Sequence, residues 1–285
     1  MKRRSLLSLL PAASALVALR SEGRPIPQPA LTAAGFAIAV QCWSFRRFTL
    51  WQAIEKTAES GAAAAEFYPG QPLGGPHGEL KLAPGLGADV YRSLLDHAAA
   101  HGVTPVNLGV VDIPAKEAGA RPFFELAKTL GLYGLTTEST GSIDTLEALA
   151  REYDLKVCFH NHPRPTKLWH PDTVWQLVEK RHENLGYCAD LGHWASSGLD
   201  PLAVVRKIAP RVRAFHFKDR GSITQWTHDR PFGTGVIDLP AILDEARKHG
   251  FAGNVSIEYE HNWENSVPDI AQCVGYLRAY AKLRS

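Results

Sequence analysis

The sequence predicts an α/β fold: one (β/α)8 barrel. Three observations predict it. Apolar runs of strand length alternate with amphipathic runs of helical length across residues 34–285. The alternation amounts to about eight strand–helix pairs in about 250 residues, the size of such a barrel. No Gly-x-Gly-x-x-Gly turn follows the first strand, where a dinucleotide-binding doubly wound sheet carries it. Beyond that unit the chain shows no internal repeat and no second domain.

The predicted strands are 36–41, 63–68, 103–110, 133–138, 156–162, 185–190, 212–217 and 255–259. The predicted helices are 49–60, 89–100, 116–130, 142–153, 172–182, 201–208, 239–249 and 268–283. Thr49-Leu50-Trp51-Gln52 has the spacing of a capping box, and Gly61 ends the helix it opens. His101-Gly102 closes the second helix and Gly131 breaks the third. Ser142 is placed to cap the fourth.

Residues 1–25 read as a signal peptide. A basic start, Met1-Lys2-Arg3-Arg4, precedes an apolar run from Leu6 to Leu19 that Pro11 interrupts. That run is short for a membrane span, and Ala13, Ala15 and Ala18 offer cleavage sites. The Arg3-Arg4 pair resembles a twin-arginine signal, which implies export to the periplasm. Pro-rich residues 26–33 then read as a linker, leaving 34–285 as the barrel.

Composition narrows the partners. The chain has 285 residues, is 45% hydrophobic and carries a net charge of +2, so it can bury a sizeable core. It lacks the basic stripe that nucleic acid requires. Cys42, Cys158, Cys188 and Cys273 form no Cys-x-x-Cys pair, which removes zinc-knuckle and thiol-redox motifs. Cys158 and Cys188 are expected as small core residues.

In a barrel of this kind the site lies at the C-terminal ends of the strands. Glu66, Glu138, His160 and His162, Asp190 with His193, His216 with Lys218, and Glu258 with Glu260 all fall at such ends. Strand alternation puts Cys158, His160 and His162 on one face, Cys188 with Asp190, Ala214 with His216 and Lys218, and Ser256 with Glu258 and Glu260. A small residue thus sits one layer below a polar one on several strands. Mixed nitrogen and oxygen donors suit Mn2+, Zn2+, Co2+ or Fe2+ better than Ca2+. Trp43, Trp169, Trp194, Trp226 and Trp263 follow strands or lie in the next loops, where aromatic rings suit the apolar faces of sugars.

Cys188-Ala189-Asp190-Leu191-Gly192-His193, His216-Phe217-Lys218-Asp219, Gly233-Thr234-Gly235-Val236-Ile237-Asp238 and Ile257-Glu258-Tyr259-Glu260 together resemble the xylose-isomerase-like TIM-barrel superfamily. The resemblance spans about residues 33–283. It implies that Asp190, His216 and Glu258 are metal ligands, that His193 is a polar partner beside the metal, and that Lys218 contacts substrate. Many members end strand five with a ligating glutamate. Here His160 or His162 takes that place, with Glu138 as the replacement carboxylate. The His-Asn-His form resembles a frequently exported subgroup that includes lyases of 3-keto-glycosides.

The expectation is therefore a divalent-metal-dependent sugar isomerase or epimerase that removes a proton α to a carbonyl. Its alternative is a 3-keto-glycoside lyase or dehydratase on the same site. A metal hydrolase and a non-catalytic sugar-binding barrel rank below both. Glu138 and Glu260 are the candidate bases, and His160 and His193 the candidate acids. Glu138, His162, Asp190, His216 and Glu258 are the assigned ligands, with either imidazole of strand five admissible. Glu66, Trp43, Trp194 and His160 are the assigned substrate contacts.

Overall fold

The computed structural model describes Ile26 and residues 30–284; the expected signal peptide lies outside the described residues. Eight parallel strands close into a barrel in sequence order, the first pairing with the last. They are Ala37–Gln41, Ala64–Phe67, Thr104–Val111, Gly134–Thr137, Lys156–His160, Leu185–Asp190, Val212–Phe217 and Asn254–Ile257. The helices that follow them, in order, are Leu50–Glu59, Ala88–Ala100, Glu117–Thr129, Ile143–Glu152, Pro171–Val178, Pro201–Ile208, Leu239–Lys248 and Val267–Leu283. Among the described residues no helix is long and apolar enough to cross a membrane.

Alternation explains both faces of the barrel wall. Val157 and Phe159, Tyr187 and Ala189, Phe215 and Phe217, and Val255 and Ile257 point outward into the layer shared with the helices. Each large apolar side chain buried there contributes about 1.5–3 kcal/mol. Cys158, Cys188 and Ala214 point inward and touch each other, the small-residue layer that the sequence pattern required. Below them Ala37, Ala39, Ala64, Val106 and Tyr133 fill the floor. Ile26 and Ala30, from the stretch expected as a linker, pack into that same floor, and Leu31 bridges to Ala37.

Local chemistry sets most ends. Thr49 and Gln52 form the reciprocal capping box that their spacing predicts. Ser142 does not cap its helix through its side chain; its hydroxyl binds Thr145 Oγ1 at 2.7 Å instead. The fifth helix ends at Val178, short of the expected His182. Beyond it Arg211 gathers the carbonyls of Glu179, Arg181 and His182, and so fixes that stretch as an irregular turn. A short helix, Leu191–Ser196, starts directly at the end of strand six and was not expected from the sequence. Gly192 disguises it, yet a Cβ there would lie 2.6 Å from Lys218 Cβ, so packing demands the glycine.

Ile26 is 2% exposed beneath the barrel. Replacing it with Ala should lower the unfolding free energy by about 2 kcal/mol, read from a urea titration. An unchanged midpoint would show that this contact with the floor adds no stability.

Candidate metal centre

Strands five to eight bring His160, Asp190, His216 and Glu258 together at the barrel mouth, with one donor atom of each within 4.8 Å of the others. All four are buried. The ladder fixes their heights: Asp190 pairs with His216, and His216 with Ser256. Asn161 locks the strand five–six seam by donating to Asp190 O (3.1 Å) and accepting from Asp190 N (3.0 Å). The middle residue of His-Asn-His is therefore a clamp on a ligand strand and faces away from the ring.

Glu138 explains the orientation of both neighbouring imidazoles. Its Oε1 accepts from His160 Nδ1 at 2.9 Å and from His162 Nδ1 at 2.5 Å. With Nδ1 of His160 committed, its Nε2 carries the lone pair. That Nε2 is buried, has no hydrogen-bond partner, and lies 3.5 Å from Asp190 Oδ2. A carboxylate that fixes the tautomer of a ligating histidine is a common feature of protein metal sites. Burial works against the Glu138 charge, but the two imidazole hydrogen bonds carry its pKa down to about 2. The same bond raises the pKa of His162.

A buried carboxylate, Glu66, anchors the ring from below. It accepts from Thr136 Oγ1 (2.9 Å), Ser256 Oγ (2.6 Å) and Asn254 Nδ2 (3.3 Å). His216 sits between it and Glu258, with ring nitrogens 3.1 Å from Glu66 Oε1 and 3.0 Å from Glu258 Oε2. Lys218 Nζ lies 2.6 Å from Asp190 Oδ2 and also contacts Glu258 Oε2. Burial opposes its charge, yet Asp190 and Glu258 raise its pKa above the usual lysine value. Burial likewise opposes the charges of Asp190 and Glu258, and the neighbouring cationic groups hold both carboxyls well below the ordinary range.

These residues fit a divalent cation. Two imidazoles and two carboxylates form a mixed set from four strands, and the ring contains an orphaned, buried imidazole nitrogen aimed at a carboxylate. The geometry places four of the assigned residues at different depths. His160, rather than His162, joins Asp190, His216 and Glu258; His162 follows the end of the strand and stands exposed at the rim, its ring centroid 4.8 Å from that of His160. Glu138 stands behind the two imidazoles, with one oxygen bound by them, and Glu138, His160 and His162 form a second donor cluster that shares His160 with the buried ring. Glu66 is 0% exposed and fully engaged, so it positions His216 and meets no substrate. Trp194 is also 0% exposed, within the outer core, and cannot contact substrate. His193 lies beside Asp190, with Nε2 3.5 Å from Oδ2, and burial lowers its pKa well below the imidazole norm.

A cavity of 580 Å³ opens over the centre and is bordered by Trp43, Arg46, Tyr68, His162, Glu258 and Glu260. Trp43 is thus where the sequence placed it. Glu260 takes a main-chain anchor, donating from its N–H to Asp229 Oδ2 at 2.6 Å. Its carboxylate accepts no hydrogen bond among the described residues.

Some supports of the site carry no local sequence signal. Asp229 and Arg220 pair at 3.0 Å across a short antiparallel ladder of Asp219–Arg220 with Asp229–Arg230, and burial, opposed by Arg220, pushes the Asp229 pKa up to about 7. Thr136 and Ser256 did carry a signal, because each shares a face with a site carboxylate. Asp219 is structural: it accepts the N–H groups of Arg220, Gly233, Gly235 and Ile237. A Cβ on Gly235 would come within 2.1 Å of its Oδ1.

Residues 139–280 match the family model for the xylose isomerase-like TIM barrel, about half of the chain. The chain, a closed barrel of eight parallel strands, belongs to that family. An inosose dehydratase of Clostridium tetani is 35% identical over 142 residues, which cover 44% of this chain and 47% of that protein. The chain thus spans about half the length of the curated relatives it matches. An uncharacterised protein from Parabacteroides distasonis is 29% identical with a TM-score of 0.70, covering 86% of this chain and 99% of its own. The IOLI protein, solved with a bound zinc atom, shares the fold at a TM-score of 0.65 and 17% identity, covering 87% of this chain and 99% of its own.

Replacing Glu138 with Gln removes the charge that holds both imidazoles. Metal affinity, measured by chelator competition, should fall about 10–100-fold while the fold persists by circular dichroism. Unchanged affinity would show that His160 is oriented without it.

Proposed function

We propose that the chain is a divalent-metal-dependent carbohydrate lyase of the dehydratase kind. It acts on a sugar or cyclitol ketone. Isomerisation, epimerisation and dehydration of such a ketone can all begin with loss of a proton α to the carbonyl. They differ in where the next proton goes.

The observation that carries the reading is the shared oxygen of Glu138. It ties one imidazole, His160, into the ligand ring and presents a second, His162, at the cavity. With Nδ1 of His162 committed to Glu138, Nε2 is its nitrogen free for substrate. Glu260 is a carboxylate on the same cavity with no competing hydrogen bond, and it serves as base. Bound in the ring, a divalent cation would draw electron density from the substrate carbonyl oxygen. Glu260 takes the α proton, and the electron pair of the broken C–H bond moves toward the carbonyl oxygen, giving an enolate. Lys218, fixed between Asp190 and Glu258, supplies positive charge beside that oxygen. The β C–O bond then breaks as His162 gives its proton to the departing hydroxyl, releasing water. Trp43 and Tyr68, edge to face at 5.1 Å, offer an apolar wall for a ring.

The named dehydratase among the relatives supports this choice over simple epimerisation. So does the imidazole at the place where a second carboxylate would stand. The export reading of Arg3-Arg4 and the apolar run after it remains part of the proposal, and places the reaction in the periplasm.

The test is incubation of metal-loaded protein with a panel of keto-sugars, 3-keto-glycosides and inososes in D₂O. Loss of water or aglycone, seen as a new enone absorbance, is expected. Replacing His162 with Gln should slow it about 10²–10⁴-fold while α-proton exchange continues. Exchange with a rearranged sugar and no elimination would make the protein an isomerase or epimerase instead.

A further inference from the structure

Arg46 stands at the mouth of the cavity with its guanidinium committed to no acid. Its neighbour Arg47 pairs with Glu264 at 3.6 Å, whereas Arg46 has no carboxylate within ion-pair distance among the described residues. Its side chain donates no hydrogen bond there either. What holds it is aromatic. Its Cζ lies 3.7 Å from the Trp263 ring centroid and 5.0 Å from that of Trp43. Trp43 in turn packs edge to face on Tyr68.

The backbone adds to this rigidity. Arg46 is the C-cap of the short helix Cys42–Phe45, and its N–H donates to Trp43 O at 3.0 Å. Gln41 ties the start of that helix to the barrel, accepting from Trp43 N and donating to Gly109 O, both at 2.6 Å. A planar cation held by indoles keeps its donor fork outward, and that fork matches the two oxygens of a carboxylate or phosphate. Holding the side chain in place in the free protein removes much of the entropy cost of binding. The other cation near the ring, Lys218, is 1% exposed and already satisfied by two carboxylates. Arg46 is thus the unpaired cation among the residues that border the cavity.

We propose that Arg46 is a specificity-determining residue that binds an oxyanion on the substrate, so that the cavity takes an acidic sugar derivative in preference to a neutral one. This rests on the proposed carbohydrate reading of the site. The oxyanion is a carboxylate or a phosphate, and the two are separated by the choice of probe.

The test is equilibrium binding to the metal-loaded full chain, followed by tryptophan fluorescence and calorimetry. The probes are D-glucose, D-glucuronate, D-glucose 6-phosphate and inorganic phosphate. One acidic sugar should bind at least about tenfold more tightly than glucose, and whichever one does identifies the anion. In Arg46→Met that ratio should collapse to about one, and Arg46→Lys should restore part of it. Thermal melts check that both variants fold; Arg46 is exposed, so no core contact is lost. Equal affinities for acidic and neutral sugars, or a ratio that survives in Arg46→Met, would overturn the inference. Binding of inorganic phosphate as tightly as glucose 6-phosphate would overturn it too, by showing a site blind to the sugar. Failure of every sugar to bind would instead sink the carbohydrate reading beneath it.

Discussion

The mouth of this barrel is organised by the need to compensate buried negative charge. Glu66 and Asp190 are 0% exposed and Glu258 is 6% exposed. An isolated buried carboxylate costs several kcal/mol, so each must find partners or lose its proton. Each finds them. Hydroxyl and amide groups from strands four and eight satisfy Glu66, and Lys218 spans Asp190 and Glu258. His216 stands between the lower and upper acids. These bonds run between strands far apart in sequence, so the charge balance also fixes the shape of the ring that would receive a cation.

Strand parity carried much of that arrangement in the sequence. Once His160, Asp190, His216 and Glu258 each fell at a strand end, with a small or polar residue two positions earlier, a common inward face followed. Cys158, Cys188 and Ala214 do form the layer beneath. Depth was less legible. Parity places His160 and His162 on one face and Glu66 with the other acids. It does not say which reaches the ring, which stands at the rim and which lies below. Those heights come from barrel tilt and from where each strand stops. Trp194 misled for a related reason: it follows a strand end, but Leu191–Ser196 is a helix that turns the indole outward into the core. Arg220 with Asp229, and Arg211 with its three carbonyls, had no local pattern at all, since each pairing depends on a loop path.

The His-Asn-His segment now has a separate task for each residue. His160 supplies a ring donor, Asn161 clamps the next strand, and His162 meets the cavity. Glu138 joins the first and third tasks through one oxygen. A change at Glu138 therefore reaches both the cation site and the proposed proton donor. Around them Trp43, Tyr68, Arg46 and Trp263 form an aromatic and cationic wall suited to a ring bearing an acidic group. The chemistry and the proposed selectivity thus come from opposite sides of one cavity.

His160, and not His162, completes the ring with Asp190, His216 and Glu258. X-ray absorption of the zinc-loaded protein counts imidazole ligands through their outer-shell scattering. Two imidazoles are expected in the wild type, two in His162→Gln and one in His160→Gln. A count that drops in His162→Gln and holds in His160→Gln would contradict this assignment.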